Sequence, residues 1–222
     1  MRRFLVVLPL AAALTGCISL FPKSDPIQMY RFGYDPARVE SVPPQSQGVP
    51  VGLAFSGAVF PPGSAGDSIL TVEDSEVAYV ADARWSAGAQ ALFNEAVQAG
   101  FARSGGNVRL DGRGRSAAPY RLDVSVRHFE TRYNRNRPTV AVALDARIIR
   151  QSDRVVIATR FIDQEVPVDR NHMRTIVEGY NTAVSQAVGG LIAFSQETLS
   201  PLAPAMTPVD MPAGGKPQVE GL

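Results

Sequence analysis

A single thiol stands out in this chain of 222 residues: Cys17, which ends the stretch "LTGC" directly after an apolar run. One cysteine cannot close an internal disulfide. It also has no obvious metal partners. His128 and His172 are the only histidines, and neither has a Cys or His at ligand spacing, so no metal site is expected. His128 reads as a residue at a strand irregularity and His172 as a polar residue near a helix start. The chain has no Gly-x-Ser-x-Gly elbow, and "GRGRS" at 112–116 lacks the spacing and the Lys of a phosphate loop, so it reads as a turn. No catalytic residue and no cofactor are expected. Two further clusters carry charge. "RYNRNRP", Arg132 to Pro138, offers planar donor forks suited to lipid headgroups or an acidic partner, and its plainer reading is a solvated hairpin tip. "VAYVADARWS" holds the only Trp. There Asp82 and Arg84 alternate with Ala81, Ala83 and Trp85, which leaves either a core aromatic beside a local ion pair or a partner interface formed by Asp82, Arg84 and Trp85. Strict alternation would turn Trp85 inward and Asp82 and Arg84 outward.

The elements around these residues begin with a leader. Arg2 and Arg3, the apolar run Phe4 to Leu14 and the small residues Thr15 and Gly16 match a secretory signal, because the run is too short to span a membrane. Leu14-Thr15-Gly16-Cys17 resembles the lipobox of bacterial lipoproteins, in which the Cys is acylated and begins the mature chain. Cys17 is therefore the expected lipid-attachment residue, and two or more acyl chains would hold it stably where one would not. Residues 1–16 are then the signal peptide and 17–26 a Pro-containing tether. Loss of Arg2 and Arg3 leaves the mature chain near neutral against 21 Asp plus Glu, which argues against nucleic acid as a partner. From residue 200 the chain is rich in Pro, Ala and Gly without periodicity and is expected to be disordered.

Residues 27–199 are left to fold, and a 45% hydrophobic content is enough to bury a core. Strands are expected at 27–34 and 49–59, and a hairpin or pair of short strands at 69–72 and 77–80. Ser86 is the expected N-cap of a helix over 87–103 whose apolar face is Leu92, Phe93, Ala96, Val97 and Phe101. Glycines in "SGGN" stop it. Three strands follow in "YRLDVSVRHFETRY", "TVAVALDARIIR" and "RVVIATRFIDQEV", with a bulge at Arg127-His128-Phe129 where the alternation slips. A long helix from Asn171 closes the domain. The expected class is α+β: an antiparallel or mixed sheet with two main helices packed mainly on one face.

With these segments in place, the chain resembles the ABC-type transport auxiliary lipoprotein family, which includes the paraquat-inducible C-type lipoproteins. The likeness rests on the lipobox, "MYRF", "VAYVADARWS", "YRLDVSVRHFETRY", "VALDARIIRQSDRVVIATRFI" and "IVEGYNTAVSQAVGGLIAF". "SAGAQALF" lacks the prolines often found after the Trp, and the Pro-rich tail is additional. The resemblance implies a non-enzymatic accessory of an ABC permease, its ATPase and an MCE-domain protein, moving phospholipid between inner and outer membranes. It also implies a lipid anchor of the palmitate type, a periplasmic domain and the outer membrane, since Ile18 is not the Asp linked to inner-membrane retention. A homo-oligomer is compatible with it. A lipid carrier and an envelope-assembly or secretion lipoprotein are the alternatives.

Overall fold

The computed structural model describes residues 26–39, 50–111, 118–135 and 137–202. Cys17, the leader, the tether up to Asp25, the "GRGRS" turn and the tail from 203 lie outside the described residues. Eight strands form one mixed sheet: β1 (Gln28–Tyr30), β2 (Val51–Ala54), β3 (Ser68–Glu73), β4 (Glu76–Trp85), β5 (Val108–Asp111), β6 (Tyr120–Asn134), β7 (Arg137–Arg150) and β8 (Val156–Pro167). The helices are a short α1 (Pro62–Ala65), α2 (Ala89–Arg103) and α3 (Met173–Leu199). The protein is thus α+β.

β6 is the axis. One edge pairs antiparallel with β7, which pairs antiparallel with β8. The other edge is shared along its length. β2 meets it at Leu53↔Tyr120, Val59 bridges to Ser125, and β3 meets it at Thr71↔Thr131, all parallel. Two wings result: β2–β5 at one end of β6 and β3–β4–β1 at the other. The alternation of β6 fails where expected, with a register shift between Val126 and His128 against β7. Leu122, Val124 and Val126 face the core before it, and Phe129 and Thr131 after it. One extra residue puts both Arg127 and His128 on the opposite face.

α3 covers the core face of β7 and β8 and crosses α2. Its stripe of Ile176, Tyr180, Val184, Ala187 and Leu191 packs with Val140, Val142 and Leu144 of β7. The helices approach closely at Gly100, where a Cβ would lie 2.4 Å from Val188 Cγ1. His172 caps α3, its Nδ1 accepting from the Arg174 N–H at 3.3 Å.

Four local expectations are corrected. α2 starts at Ala89 with Gly88 as its N-cap; Ser86 still belongs to the end of the ladder, its N–H donating to the Tyr30 carbonyl of β1. β1 ends at Tyr30 instead of running to Tyr34. Residues 31–39 leave the sheet and cross α3, where the Gly33 N–H donates to Asn181 Oδ1, the Asp35 N–H to Ser185 Oγ, and Arg38 pairs with Glu178. β2 ends at Ala54, and the chain turns at Gly57, with φ of 114°, before Val59 returns to β6. β5 was not anticipated at all.

Strand polarity sorts the ends of the domain. β3 runs parallel to β6, so the β3–β4 turn lies at the same end as the β6–β7 turn. β1 runs parallel to β4 and therefore enters from that end. The β8–α3 junction joins them, since the Val168 N–H donates to the Pro138 carbonyl.

Candidate partner-docking site

The segment "VAYVADARWS" is all of β4 but its first residue, together with Ser86, and it is not a regular strand. Against β3, Arg84 pairs with Ser68 and Tyr79 with Leu70, so five steps along β4 match two along β3. The surplus residues loop out of the ladder. Their carbonyls would be stranded without a donor, and Arg84 supplies one: its Nη1 lies 2.6 Å from the Val80 oxygen, 2.8 Å from that of Ala83 and 3.4 Å from that of Ala81. The two N–H groups of Nη1 serve the two short contacts, to Val80 and Ala83, and the planar fork fixes their direction. Arg84 is half-buried and holds the shape of the bulge.

Trp85 ends the strand in the core at 1% exposure. Its ring meets Phe32 edge-on at 4.9 Å and Tyr180 at 5.0 Å between centroids, with Phe129 at 6.5 Å. Tyr180 is itself fully buried and bonds Thr131 through its hydroxyl at 3.3 Å; burial, opposed in part by that bond, raises its pKa well above the ordinary tyrosine value. Trp85 thus has no surface to offer a partner in this state. Asp82 is exposed at the bulge and has no ion-pair or hydrogen-bond partner among the described residues. The three candidates are therefore split: one in the core, one bracing the backbone, one presented to solvent.

The edge beside Asp82 is open. β1 pairs with β4 only from Ala83 to Trp85. The Tyr30 carbonyl faces β4 because it accepts from the Ser86 N–H. Residues two and four before Tyr30 must therefore turn their N–H groups the same way, and the second of these is Pro26, which has none. Pairing stops there, leaving β4 from Glu76 to Asp82 without a neighbour on that side among the described residues. Val77 at 63% and Tyr79 at 50% exposure stand on this stretch. An unpaired edge with apolar side chains is a template for an added strand.

A family model described as "ABC-type transport auxiliary lipoprotein component" matches residues 66–190, more than half of the chain and the whole of β3 to β8. The chain belongs to this family. It is a family of auxiliary lipoproteins associated by description with ABC-type transport, which suggests a cell-envelope location, and it is not a known enzyme family. Among curated proteins no match is found. Solved structures share the fold. Protein XCC0632 from Xanthomonas campestris, assigned to family model DUF330, superposes with a TM-score of 0.70 at 20% identity over 78% of this chain and 97% of that one. A second crystal structure, described as an uncharacterized protein, gives 0.62 at 12% identity over 77% and 99%.

The family assignment covers the bulged β4 and the arginine that braces it. Sequence pattern located this segment but not the direction of the Arg84 side chain. Strict alternation would point its side chain to solvent, whereas the surplus residues turn it back on its own backbone. Composition does not mark the bulge: Ala81 lies in the surplus stretch, but Ala78 pairs with Thr71 and Ala83 is buried and pairs with Gln28.

Proposed function

We propose that this protein is a non-catalytic, lipid-anchored accessory of an MCE-type ABC system that moves phospholipid across the envelope, and that it docks its partner along the open edge of β4. The family assignment over residues 66–190 carries the reading. In it, Cys17 holds the acyl anchor in the outer membrane, the tether spans the gap, and the domain presents Asp82, Val77 and Tyr79 to an extended segment of the MCE-domain protein. Backbone pairing would supply affinity, and the two exposed apolar side chains with Asp82 would supply register.

The interior speaks for an accessory over a carrier. Space between sheet and helices is filled by Phe32, Phe60, Trp85, Phe93, Phe129 and Tyr180, with ring centroids 4.9–6.5 Å apart. A depression of about 350 Å³ on the helix-free face is bordered by Arg127, Asp145, Arg147 and Phe161, and is open and charged where an acyl chain would need an enclosed apolar cavity.

Affinity capture from detergent-solubilised envelopes tests the reading. An MCE-domain protein and an ABC permease should co-purify with the wild-type chain and be lost with Asp82→Lys, which should melt as wild type does. Capture of neither, or stoichiometric phospholipid retained by the delipidated protein, would refute it.

A further inference from the structure

We propose that the tip of the β6–β7 hairpin is a phosphate-binding contact for headgroups of the membrane that holds the protein; its orientation rests on the lipidated-tether reading, while its donor set does not. Asn134 pairs with Arg137, so the turn between the strands is short. Arg135 sits in it at φ of 49°, a left-handed position that hairpin turns ordinarily give to Gly, Asn or Asp. A long cation kept at a strained position points to a use for its side chain. The hollow beside it, about 570 Å³, is lined by Asn134, Arg135, Arg137 and Thr139. Two guanidinium forks, a carboxamide and a hydroxyl line it, and no carboxylate does among the described residues. That set matches the oxygens of a phosphate.

These cations are available. Arg132, the next arginine along β6, is held by Glu130 and Glu165 at 2.9 and 2.8 Å. The side chains of Arg135 and Arg137 have no ion-pair or hydrogen-bond partner among the described residues. The same is true of the Arg170 and Arg174 side chains at the β8–α3 junction of the same end.

Chain direction supplies the occupant. β1 enters the sheet from this end, so the tether leaves from it. Nine residues separate Cys17 from Pro26 inclusive of Pro26, a reach of roughly 30 Å at full extension. β6 lies three strands from β1 in the order β1–β4–β3–β6, or roughly 14 Å. The hairpin is thus within reach of the surface that anchors Cys17. Glu73, Asp74 and Glu76 of the β3–β4 turn and Asp169 share this end, and none forms an ion pair with the hairpin arginines among the described residues. An anionic surface repels the β3–β4 side and attracts the β6–β7 side, so the domain leans on its arginines.

The test uses the mature lipidated full chain in liposomes of phosphatidylglycerol and phosphatidylethanolamine carrying a headgroup quencher. With Cys17 acylated, a cysteine introduced as Asp169→Cys or as Ser152→Cys, at the opposite end, is the only thiol for a dye. The dye at 169 should be quenched and the dye at 152 should not. Arg135→Ala with Arg137→Ala should weaken the contact roughly thirtyfold, at about fivefold per arginine near an anionic surface, with flotation unchanged. Equal quenching at both ends, or full quenching in the double variant, overturns the proposal. So does release of the contact by inorganic phosphate at the headgroup concentration, which assigns the hollow to a free anion. Failure of the anchor reading shows separately, as loss of flotation in every variant.

Discussion

Trp85→Ala discriminates a core role from an interface role more sharply than any other change in "VAYVADARWS". The indole is 1% exposed and in contact with three aromatic rings. An aromatic side chain of this kind removes about 150–250 Å² from water, which at about 25 cal/mol per Å² is roughly 4–6 kcal/mol for the whole side chain. Ala keeps its Cβ, and neighbours relax partly into the cavity, so about 3–5 kcal/mol is the expected loss. For a domain of this size each kcal/mol moves the melting temperature by about 2–4 °C, which gives roughly 6–20 °C. Circular dichroism melts and urea titration read it directly, and Trp85→Phe should recover much of the loss. Below its melting range Trp85→Ala should still capture the partner, having lost no exposed surface. A variant that melts within a degree or two of wild type yet fails to capture would refute the reasoning, because the indole would then have to reach the partner.

Arg84→Ala should destabilise by about 1–3 kcal/mol, the range for hydrogen bonds from a charged donor, with Arg84→Lys intermediate, whereas Asp82→Ala should change stability by less than about 0.5 kcal/mol and reduce capture; thermal melts with parallel pull-downs check both. Tyr180 gives a pH dependence. Its folded pKa is raised by burial, so the folded state keeps a proton that the unfolded state loses above about pH 10, and stability is intact below that pH and falls as pH rises past it, by up to about 1.4 kcal/mol per pH unit. Tyr180→Phe should flatten that alkaline slope in urea titrations at pH 9–11 while costing about 1–2 kcal/mol at neutral pH through the Thr131 hydroxyl left without its partner. Cys17→Ser should abolish fatty-acid labelling and membrane fractionation while the domain melts unchanged; undiminished labelling would sink the lipid-attachment assignment.

What the sequence displayed was periodicity, and the fold is legible where periodicity is strong. α3 repeats its apolar stripe over 27 residues, and β6, β7 and β8 alternate for 12–15 residues each, so their limits were close and even the bulge at Arg127-His128 showed as a slip in phase. Short elements carry no such signal. β5 is four residues long and is recruited by parallel pairing with β2, a contact between segments 57 residues apart at Val51↔Val108 that no local pattern encodes. Residues 31–34 read as the continuation of the first strand, yet hydrogen bonds from the Gly33 and Asp35 N–H groups to Asn181 and Ser185 of a helix about 150 residues away take the backbone instead. The candidate site shows both cases. Trp85 reads as buried from its place before an amphipathic helix, while Arg84 turns inward only because of surplus residues that register, and not composition, reveals.

One residue links the tether to the docking edge. Pro26 was legible only as part of a flexible leader to the domain, since Pro in a strand reads as an end. In the ladder its position is specific: it falls at an N–H that β4 would have accepted, so the tether cannot zip onto Glu76–Asp82. An unblocked tether would be the nearest strand to that edge, at high effective concentration, and would outcompete any partner for it. On the proposed reading, proline at this place would keep β1 from extending along β4 and leave the edge to a partner chain. An edge left open at one stretch, where β1 stops at a proline, suits the proposed docking. Replacing Pro26 by Ala should favour self-pairing of the tether: amide exchange at Val77–Ala81 should slow and partner capture should fall, and unchanged exchange there would mean that the proline does not set the limit of β1.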